Sequence, residues 1–71
     1  MSTDICKRFG HRIRRLRNDQ NISQITLSEK IGIDRAYLSL LENGRKEACL
    51  RVIEMLAIGL NVPLGKMFKD L

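Results

Sequence analysis

Residues 23–43, which read SQITLSEKIGIDRAYLSLLEN, decide the fold of this chain. Ser23 and Asp34 are residue types that cap helix N-termini through a side-chain oxygen, and each stands before apolar residues at helical spacing. Gly32 lies between the two runs and is free to adopt the positive φ that ends a helix. The stretch therefore predicts two short helices that meet with almost no loop between them.

The apolar residues of these two helices predict how they pack. Leu27 and Ile31 face inward from the first helix, and Leu38 and Leu41 face inward from the second. Ser28 is small enough to let the two helices approach each other closely. Two helices joined by a tight glycine-containing turn form a helix-turn-helix unit, which we expect here.

Helical spacing continues on both sides of this unit. Asp4 suits the start of a first helix and Asn21 its end. Glu47 or its neighbour opens a fourth helix, and Pro63 fixes the start of a fifth. No segment alternates with period two, so strands are not expected. The residues predicted to face the core are Ile5, Phe9, Ile13 and Leu16, then Leu50, Ile53, Leu56, Ala57 and Leu60, then Leu64, Phe68 and Leu71.

Length and composition limit the class of protein. The 71 residues, 44% hydrophobic and 30% charged, suffice for one globular domain, and we predict a compact all-α domain of five helices over residues 1–71. No apolar run approaches the roughly 20 residues that span a bilayer. Residues 1–4 begin acidic without an apolar run, which excludes a signal peptide. A cytoplasmic domain without membrane contact is the expectation.

The charge of the chain is basic and unevenly spread. Thirteen Lys and Arg residues against eight Asp and Glu give a net charge of +5 and a pI of about 9.8. Residues 1–22 hold six basic and two acidic residues (+4), residues 23–44 two and three (−1), and residues 45–71 five and three (+2). A domain pI above about 9 indicates a polyanionic partner.

Short motifs along the chain carry a resemblance to a known family. They are Phe9-Gly10-His11-Arg12-Ile13, Leu16-Arg17, Ser23-Gln24, Leu27, Gly32-Ile33, Tyr37-Leu38-Ser39, Leu41-Glu42-Asn43-Gly44 and Leu60-Asn61-Val62. The chain resembles the phage-repressor and Cro-like helix-turn-helix regulators, the Xre family, over residues 5–68. Residues 34–39 and the short length are most similar to controller proteins of restriction–modification systems. The chain departs from the family at Ser28, where Ala is usual, and in lacking a Pro near Cys49.

The exposed face of the third helix is the predicted reading surface for DNA bases. An α-helix fits the major groove of B-DNA, and its N-terminal side chains reach base edges. Arg35 is predicted to pair with guanine O6 and N7, and Ser39 to donate or accept a hydrogen bond. Ala36 and Leu40 are predicted to pack on thymine methyl groups.

Residues around this helix are predicted to bind phosphates of the DNA backbone. The resemblance implies contacts from Asn43 and from Gln24, which stands at a helix N-terminus that favours anions. Arg45 and Lys46 follow the third helix and carry positive charge towards the backbone. Tyr37 either offers its hydroxyl to a phosphate or is a partly buried packing ring.

Arginines of the first helix fall into two sets. Arg8, Arg12 and Arg15 form a stripe that either touches flanking phosphates or is a solvated basic face. Arg17 projects from another side of the helix. The resemblance implies that it pairs with Glu42 in a structural ion pair that fixes the third helix against the first.

A second apolar surface lies off the core stripe of the fourth helix. It predicts a two-fold homodimer through the fourth and fifth helices, in about residues 47–71. Such a dimer places two third helices about 34 Å apart, one DNA turn, on a palindromic operator. The alternative is a monomer whose C-terminal patch binds a different protein. The residues predicted for the interface are Val52, Met55, Ile58, Met67 and Leu71.

No catalytic, metal or cofactor site is predicted. His11 stands on a basic helix surface without a neighbouring acid in the sequence. Cys6 and Cys49 lack zinc-site spacing, and the five glycines are too scattered for a phosphate-binding loop. The protein is therefore not expected to be an enzyme.

The sequence predicts a sequence-specific regulator of transcription that binds double-stranded operator DNA as a homodimer. The resemblance implies control of restriction–modification genes, with RNA polymerase as a further candidate partner. Within the same fold, a phage repressor or the antitoxin of a toxin–antitoxin pair are the alternatives. From another class, the alternative is a helix-turn-helix-like module that binds protein, against which the basic rims argue.

Overall fold

The computed structural model describes residues 4–71, and these form five helices without a strand among them. The helices are α1 (Ile5–Asp19), α2 (Gln24–Ile31), α3 (Arg35–Glu42), α4 (Leu50–Leu60) and α5 (Leu64–Phe68). The predicted all-α fold of five helices is confirmed. The expectation about a signal peptide rests mainly on residues 1–3, which lie outside the described part of the chain. From residue 4 onwards, no helix is long and apolar enough to cross a membrane.

Helices α1, α2 and α3 begin directly after the predicted capping residues. The side chains of Asp4, Ser23 and Asp34 each accept a hydrogen bond from a backbone N–H two or three residues later, at 2.8, 3.0 and 3.1 Å. Gly32 has a φ of +74° at the end of α2, and Asn21 has a φ of +57° after α1. These local signals set the tight turn that joins α2 to α3.

A single core lies where the five helices meet. α1 packs against α3, α4 and α5, and α2 packs against α3 and α4. Ser28 is buried between its neighbours, as expected of a small residue at a close helix approach. This packing buries one face of α3 and leaves the opposite face open. The buried apolar residues are Phe9, Ile13, Leu27, Leu38, Leu41, Leu56, Ala57, Leu60 and Met67.

Two glycines permit close contacts between helices. A Cβ atom on Gly10 would collide with the backbone carbonyls of Leu41 and Glu42, where α1 crosses the end of α3. A Cβ atom on Gly59 would collide with the side chain of Ile31, where α4 crosses α2. The close approach of these helices therefore requires a residue without a side chain at both positions.

The start of α4 differs from the prediction. The helix begins at Leu50, after Cys49 at the N-cap position, whereas the sequence indicated a start at Glu47 or its neighbour. The segment between α3 and α4 runs without helical structure through Ala48. Leu50, predicted to face the core, is 85% exposed because it lies in the first turn, beyond the reach of the neighbouring helices.

Three further residues predicted for the core are exposed. Ile5 and Leu64 lie in the first turns of α1 and α5 and project past the packed part of the bundle. Phe68 is only partly covered, and its ring stacks on that of Phe9 with 5.3 Å between the ring centroids. The helical spacing predicted which side of each helix these residues lie on. It could not predict how far the neighbouring helices extend to cover them.

Candidate nucleic-acid interface

The open face of α3 presents the four residues predicted to read bases. Arg35, Ala36 and Leu40 are exposed, and Ser39 is half-buried. Their spacing along the helix places them on one side, opposite the buried Leu38. The structure therefore brings the four side chains together on one surface.

A buried carboxylate, that of Glu42, holds the C-terminal end of α3 in place. Its side chain is fully buried, and Arg17 donates to both oxygens, from Nε to Oε2 at 2.7 Å and from Nη2 to Oε1 at 2.9 Å. Gln24 Nε2 donates to Oε1 at 3.0 Å, and Arg14 Nε lies 3.4 Å from the same oxygen. The Arg17–Glu42 ion pair that the resemblance implied is present, and it joins α1, α2 and α3 at one group.

The surroundings of Glu42 favour its ionised form. Burial alone raises the pKa of this carboxyl. Hydrogen bonds from Arg17 and Gln24, the charge of Arg17 and a hydrogen bond from Arg14 outweigh that effect, so the pKa lies below its ordinary value. The hydrogen bond to Glu42 also raises the pKa of Arg17. The pair is ionised at neutral pH, and its bidentate geometry fixes the orientation of α3.

Arg14 belongs to this cluster although the sequence did not indicate it. Its Nη2 donates to Asn43 Oδ1 at 2.7 Å, and Asn43 Nδ2 donates in turn to the Ser39 carbonyl at 2.9 Å. Arg14 lies three residues before Arg17, on the same face of α1, and that spacing was the available signal. The predicted phosphate ligand Asn43 is thus held in place by contacts within the protein.

The other predicted phosphate ligands differ in how free they are. Arg45 and Lys46 are exposed in the loop after α3. Besides its bond to Glu42, Gln24 accepts a long hydrogen bond from Arg35 Nη1 at 3.4 Å. Two of the predicted ligands therefore point into solvent, whereas the Gln24 amide is engaged within the protein.

Tyr37 lies half-buried at the edge of this surface. Its ring packs against the core, and its hydroxyl donates to the Glu47 carbonyl at 3.4 Å. Of the two alternatives for this residue, the packing ring agrees with its position. A phosphate contact from the hydroxyl would replace only that one long hydrogen bond.

Apolar side chains remain uncovered on the side of α4 that faces away from the core, and at the junction of α4 with α5. Ile58 is 71% exposed, Leu64 is exposed and Met55 is half-buried. We call Met55, Ile58 and Leu64 the α4 patch. A shallow groove passes Ile58 and Leu64 but not Met55. It is lined by Glu54, Ala57, Ile58, Asn61, Val62, Pro63 and Leu64.

One residue predicted for the dimer interface lies elsewhere. Met67 is 0% exposed, so its assignment to an interface is wrong. The first turn of α5 directs this side chain into the core, where α5 packs on α1 and α4. Val52 and Leu71 are half-buried against the same core and present only part of their surface. Leu64, predicted to face the core, is exposed instead.

The residues considered for metal or covalent chemistry are scattered. Within residues 4–71, no group of three or more His, Cys, Asp or Glu side chains is placed to hold a metal ion. Cys6 and Cys49 are free thiols, the first half-buried and the second exposed. His11 is exposed on α1.

Comparison with known proteins agrees with this geometry. Residues 13–67 match the family model described as helix-turn-helix. The chain belongs to the helix-turn-helix family. The control protein C.MunI from a Mycoplasma species is 35% identical to it over 69 residues, which cover 96% of this chain and 93% of that protein. This helix-turn-helix protein is accordingly a DNA-binding regulator of transcription.

Solved structures show the same arrangement of helices. The restriction–modification controller protein C.AhdI from Aeromonas hydrophila has a TM-score of 0.86 with this helix-turn-helix protein at 35% identity, over 89% of this chain and 96% of that one. The controller protein C.Esp1396I, solved as a tetramer in complex with its natural 35 base-pair operator, has a TM-score of 0.88 at 22% identity, over 96% and 90% of the two chains. The second likeness concerns the fold alone.

Proposed function

We propose that this protein controls the expression of restriction–modification genes by binding a palindromic operator as a homodimer. The observation that carries the proposal is the open face of α3, where Arg35, Ala36 and Leu40 are exposed on a helix held by Glu42. The likeness to control protein C.MunI and to the controller protein C.AhdI, each at 35% identity, supports the gene class.

In the proposed complex, α3 lies in the major groove with its N-terminal half against base edges. Arg35 pairs with a guanine through O6 and N7, after leaving its long hydrogen bond to Gln24. Ser39 bonds to a neighbouring base, and Ala36 and Leu40 pack on thymine methyl groups. Because α3 is anchored at Glu42, these side chains meet the DNA in one orientation.

Phosphate contacts surround this helix. Arg45 and Lys46 bind the backbone beside the C-terminal end of α3, where both are exposed. Gln24 contributes through the N-terminus of α2, where free backbone N–H groups favour an anion, and Asn43 and Tyr37 contribute at the edge. These contacts fix the register of α3 on the duplex and are independent of the base sequence.

The chain is organised as one domain, with its helix-turn-helix at residues 23–43 and its association surface within residues 47–71. Within that surface, dimerisation is assigned to the α4 patch. Met55, Ile58 and Leu64 provide the apolar centre. Val52 and Leu71, also predicted for the interface, are half-buried and would contribute only part of their surface. A two-fold axis there presents two α3 helices to half-sites about 34 Å apart. The exposure of both Ile58 and Leu64 along one groove supports this assignment, since neighbouring exposed apolar side chains are typical of an association surface.

Regulation then follows from the position of the dimer on the DNA. Bound over a promoter it excludes RNA polymerase, and bound beside one it contacts RNA polymerase as a further partner. Both activities place the protein in the cytoplasm. An endonuclease or methyltransferase gene next to the gene for this protein would support the restriction–modification assignment, and a phage integrase or a toxin gene in that place would contradict it.

The experiment that tests DNA recognition is selection of bound duplexes from a random pool, followed by sequencing. The expected product is a palindrome whose half-site centres lie about one helical turn apart. Recovery of unrelated sequences with affinities equal to that of random DNA would overturn the proposal. Recovery of a single unrepeated half-site would contradict the proposed homodimer but would agree with the proposed role of α3 in reading bases.

A further inference from the structure

A strongly basic groove lies on α1, apart from the face of α3. It runs between the outward side of α1 and the chain after α5, with a volume of about 620 Å³. Asp70 is the only acidic residue among those that line it. The lining residues are Lys7, Arg8, His11, Arg12, Arg15, Asp70 and Leu71. We call this the α1 groove.

Two arginines of the groove are in contrasting states. Arg12 Nη1 donates to the carbonyls of Met67 and Lys69, both at 2.9 Å, and so ties the end of α5 to α1. Arg8 Nε is buried without a hydrogen-bond partner among the described residues. Arg8 is half-buried and lines the groove, so its positive charge is available to an anion held there. Arg15 and His11 are exposed at the groove's rim.

The α1 groove continues the surface that is proposed to bind phosphates around α3. Gly44 packs directly on Lys7, because a Cβ atom on Gly44 would lie 2.6 Å from Lys7 Cγ. Gly44 immediately precedes Arg45 and Lys46, the exposed cations of the loop after α3. From Lys7 the basic side chains follow α1 to Arg15, a distance of about 12 Å at 1.5 Å per residue. That length matches the spacing of a few successive phosphates along a DNA strand.

We infer that the α1 groove holds backbone phosphates of the operator outside the base pairs that α3 reads. Arg8 and Arg15 are the donors to these phosphates, and Arg12 positions the wall of the groove through its bonds to the end of α5. The inference rests on the proposed function, which it extends from the reading helix to flanking DNA. Charge complementarity and continuity with the loop after α3 select a DNA backbone as the occupant.

The test compares two synthetic duplexes that carry the selected palindrome. One ends at the outer base pairs of the palindrome, and the other extends it by about ten base pairs, one helical turn, on each side. The wild-type protein should bind the longer duplex more tightly and with a steeper salt dependence. R8Q/R15Q should lose that advantage, with the slope of log K against log salt reduced by about one to two units on the longer duplex only.

Matched variants separate this result from a general loss of charge. R51Q/K66Q removes the same two charges from exposed positions on α4 and α5, outside the groove, and should keep the advantage of the longer duplex. Should R8Q/R15Q fail to fold by circular dichroism, Arg15→Glu changes only an exposed side chain and should show the same loss.

Three outcomes would overturn the inference. The first is a slope of log K against log salt for R8Q/R15Q on the longer duplex that equals the wild-type slope. The second is an equal loss of affinity by R8Q/R15Q on both duplexes. The third is a loss of the longer duplex's advantage in R51Q/K66Q as large as that in R8Q/R15Q. In the first case the groove is free for an acidic protein segment instead. None of these outcomes affects the proposed recognition of operator DNA, which fails if the wild-type protein binds neither duplex in preference to random DNA.

Discussion

Glu42 fixes the position of α3, the proposed reading helix, through hydrogen bonds to its carboxylate. Its carboxylate lies in the core and receives hydrogen bonds from α1 and α2 while standing at the end of α3. An ionised group in such a place is stable only because its partners satisfy it, and removal of the charge leaves the largely buried guanidinium of Arg17 uncompensated. The stability of the fold should therefore depend on this one side chain.

Glu42→Gln should lower the free energy of unfolding at pH 7 by about 3 kcal/mol, since Arg17 and Arg14 lose their counter-charge. The folded-state pKa of Glu42 is below its ordinary value of 4.5, so its contribution is fully present above that pH and is lost as the pH falls through the folded-state pKa. Urea unfolding should show the difference between wild type and variant narrowing in acid. Glu29→Gln, at an exposed position of α2, is the control. An equal difference at pH 7 and in acid would contradict the assignment.

Arg35 is expected to determine specificity without contributing to the fold. Arg35→Ala should cost about 1–3 kcal/mol of binding free energy at one base pair of each half-site and leave the variant indifferent to that base. The side chain is exposed, so thermal unfolding should be unchanged. Affinities for a panel of single-base operator variants provide the measurement. A variant that retains the wild-type ranking of the panel would show that Arg35 does not read a base.

Lys46 should behave in the opposite way. Lys46→Ala is expected to weaken binding to operator and random DNA alike, and to flatten the salt slope by about one unit, since an exposed cation beside α3 is assigned to a phosphate. Titrations of both DNAs at several salt concentrations test this. If only operator binding suffered, Lys46 would be a base-reading residue.

The helices of this domain are held at distances that two glycines allow. Where α1 crosses the end of α3, the carbonyls of Leu41 and Glu42 lie against the Cα atom of Gly10. Backbone atoms cannot move aside as the end of a side chain can, so this contact ties the orientation of α3 to that of α1.

Gly10→Ala should lower the free energy of unfolding by about 1–3 kcal/mol, because the added methyl group forces α1 away from α3. Operator affinity should fall with it, since the displaced helix is the one proposed to read DNA. Gly65→Ala is the matched control: no atom lies within 4 Å of its Cβ position, so stability should be equal or slightly higher. Chemical unfolding of both variants measures the effect, and equal stabilities would show that the crossing tolerates a side chain.

We propose that the protein assembles through a surface that folding leaves uncovered. The α4 patch lies off the core stripe of α4, so its side chains are available to a second copy. Each subunit alone presents one α3 helix, whereas a two-fold dimer presents two at the spacing of a DNA turn. Folding and association should therefore be separable by mutation.

Replacement of Met55 and Ile58 by Glu should leave a helical monomer whose operator affinity collapses. Like charges would face each other across the two-fold axis and lose water without gaining partners, whereas the core is untouched. Analytical sedimentation and circular dichroism measure assembly and folding separately. Ile25→Glu, which places a charge on an exposed apolar position of α2, should remain dimeric. If the double variant at Met55 and Ile58 stayed dimeric, the interface would lie elsewhere. If that double variant unfolded, Met55 would be a core residue.

The order of the helices and the helix-turn-helix itself follow from the sequence alone. Ser23, Asp34 and Gly32 act on backbone atoms within a few residues of themselves, so their effect does not depend on the rest of the fold. The same holds for the open face of α3, because Leu38 and Leu41 mark the opposite side at helical spacing. Local signals therefore predicted the candidate reading surface.

Tertiary structure decided which apolar side chains are covered and which charges meet. Leu50 and Met67 both stand on apolar stripes, yet one is 85% exposed and the other 0%, because burial depends on where a neighbouring helix ends. Arg14 joins the cluster around Glu42 only because Gly10 lets α1 approach α3. Helical spacing specifies the direction of a side chain from its own helix, whereas the atoms it meets there belong to segments distant in the sequence.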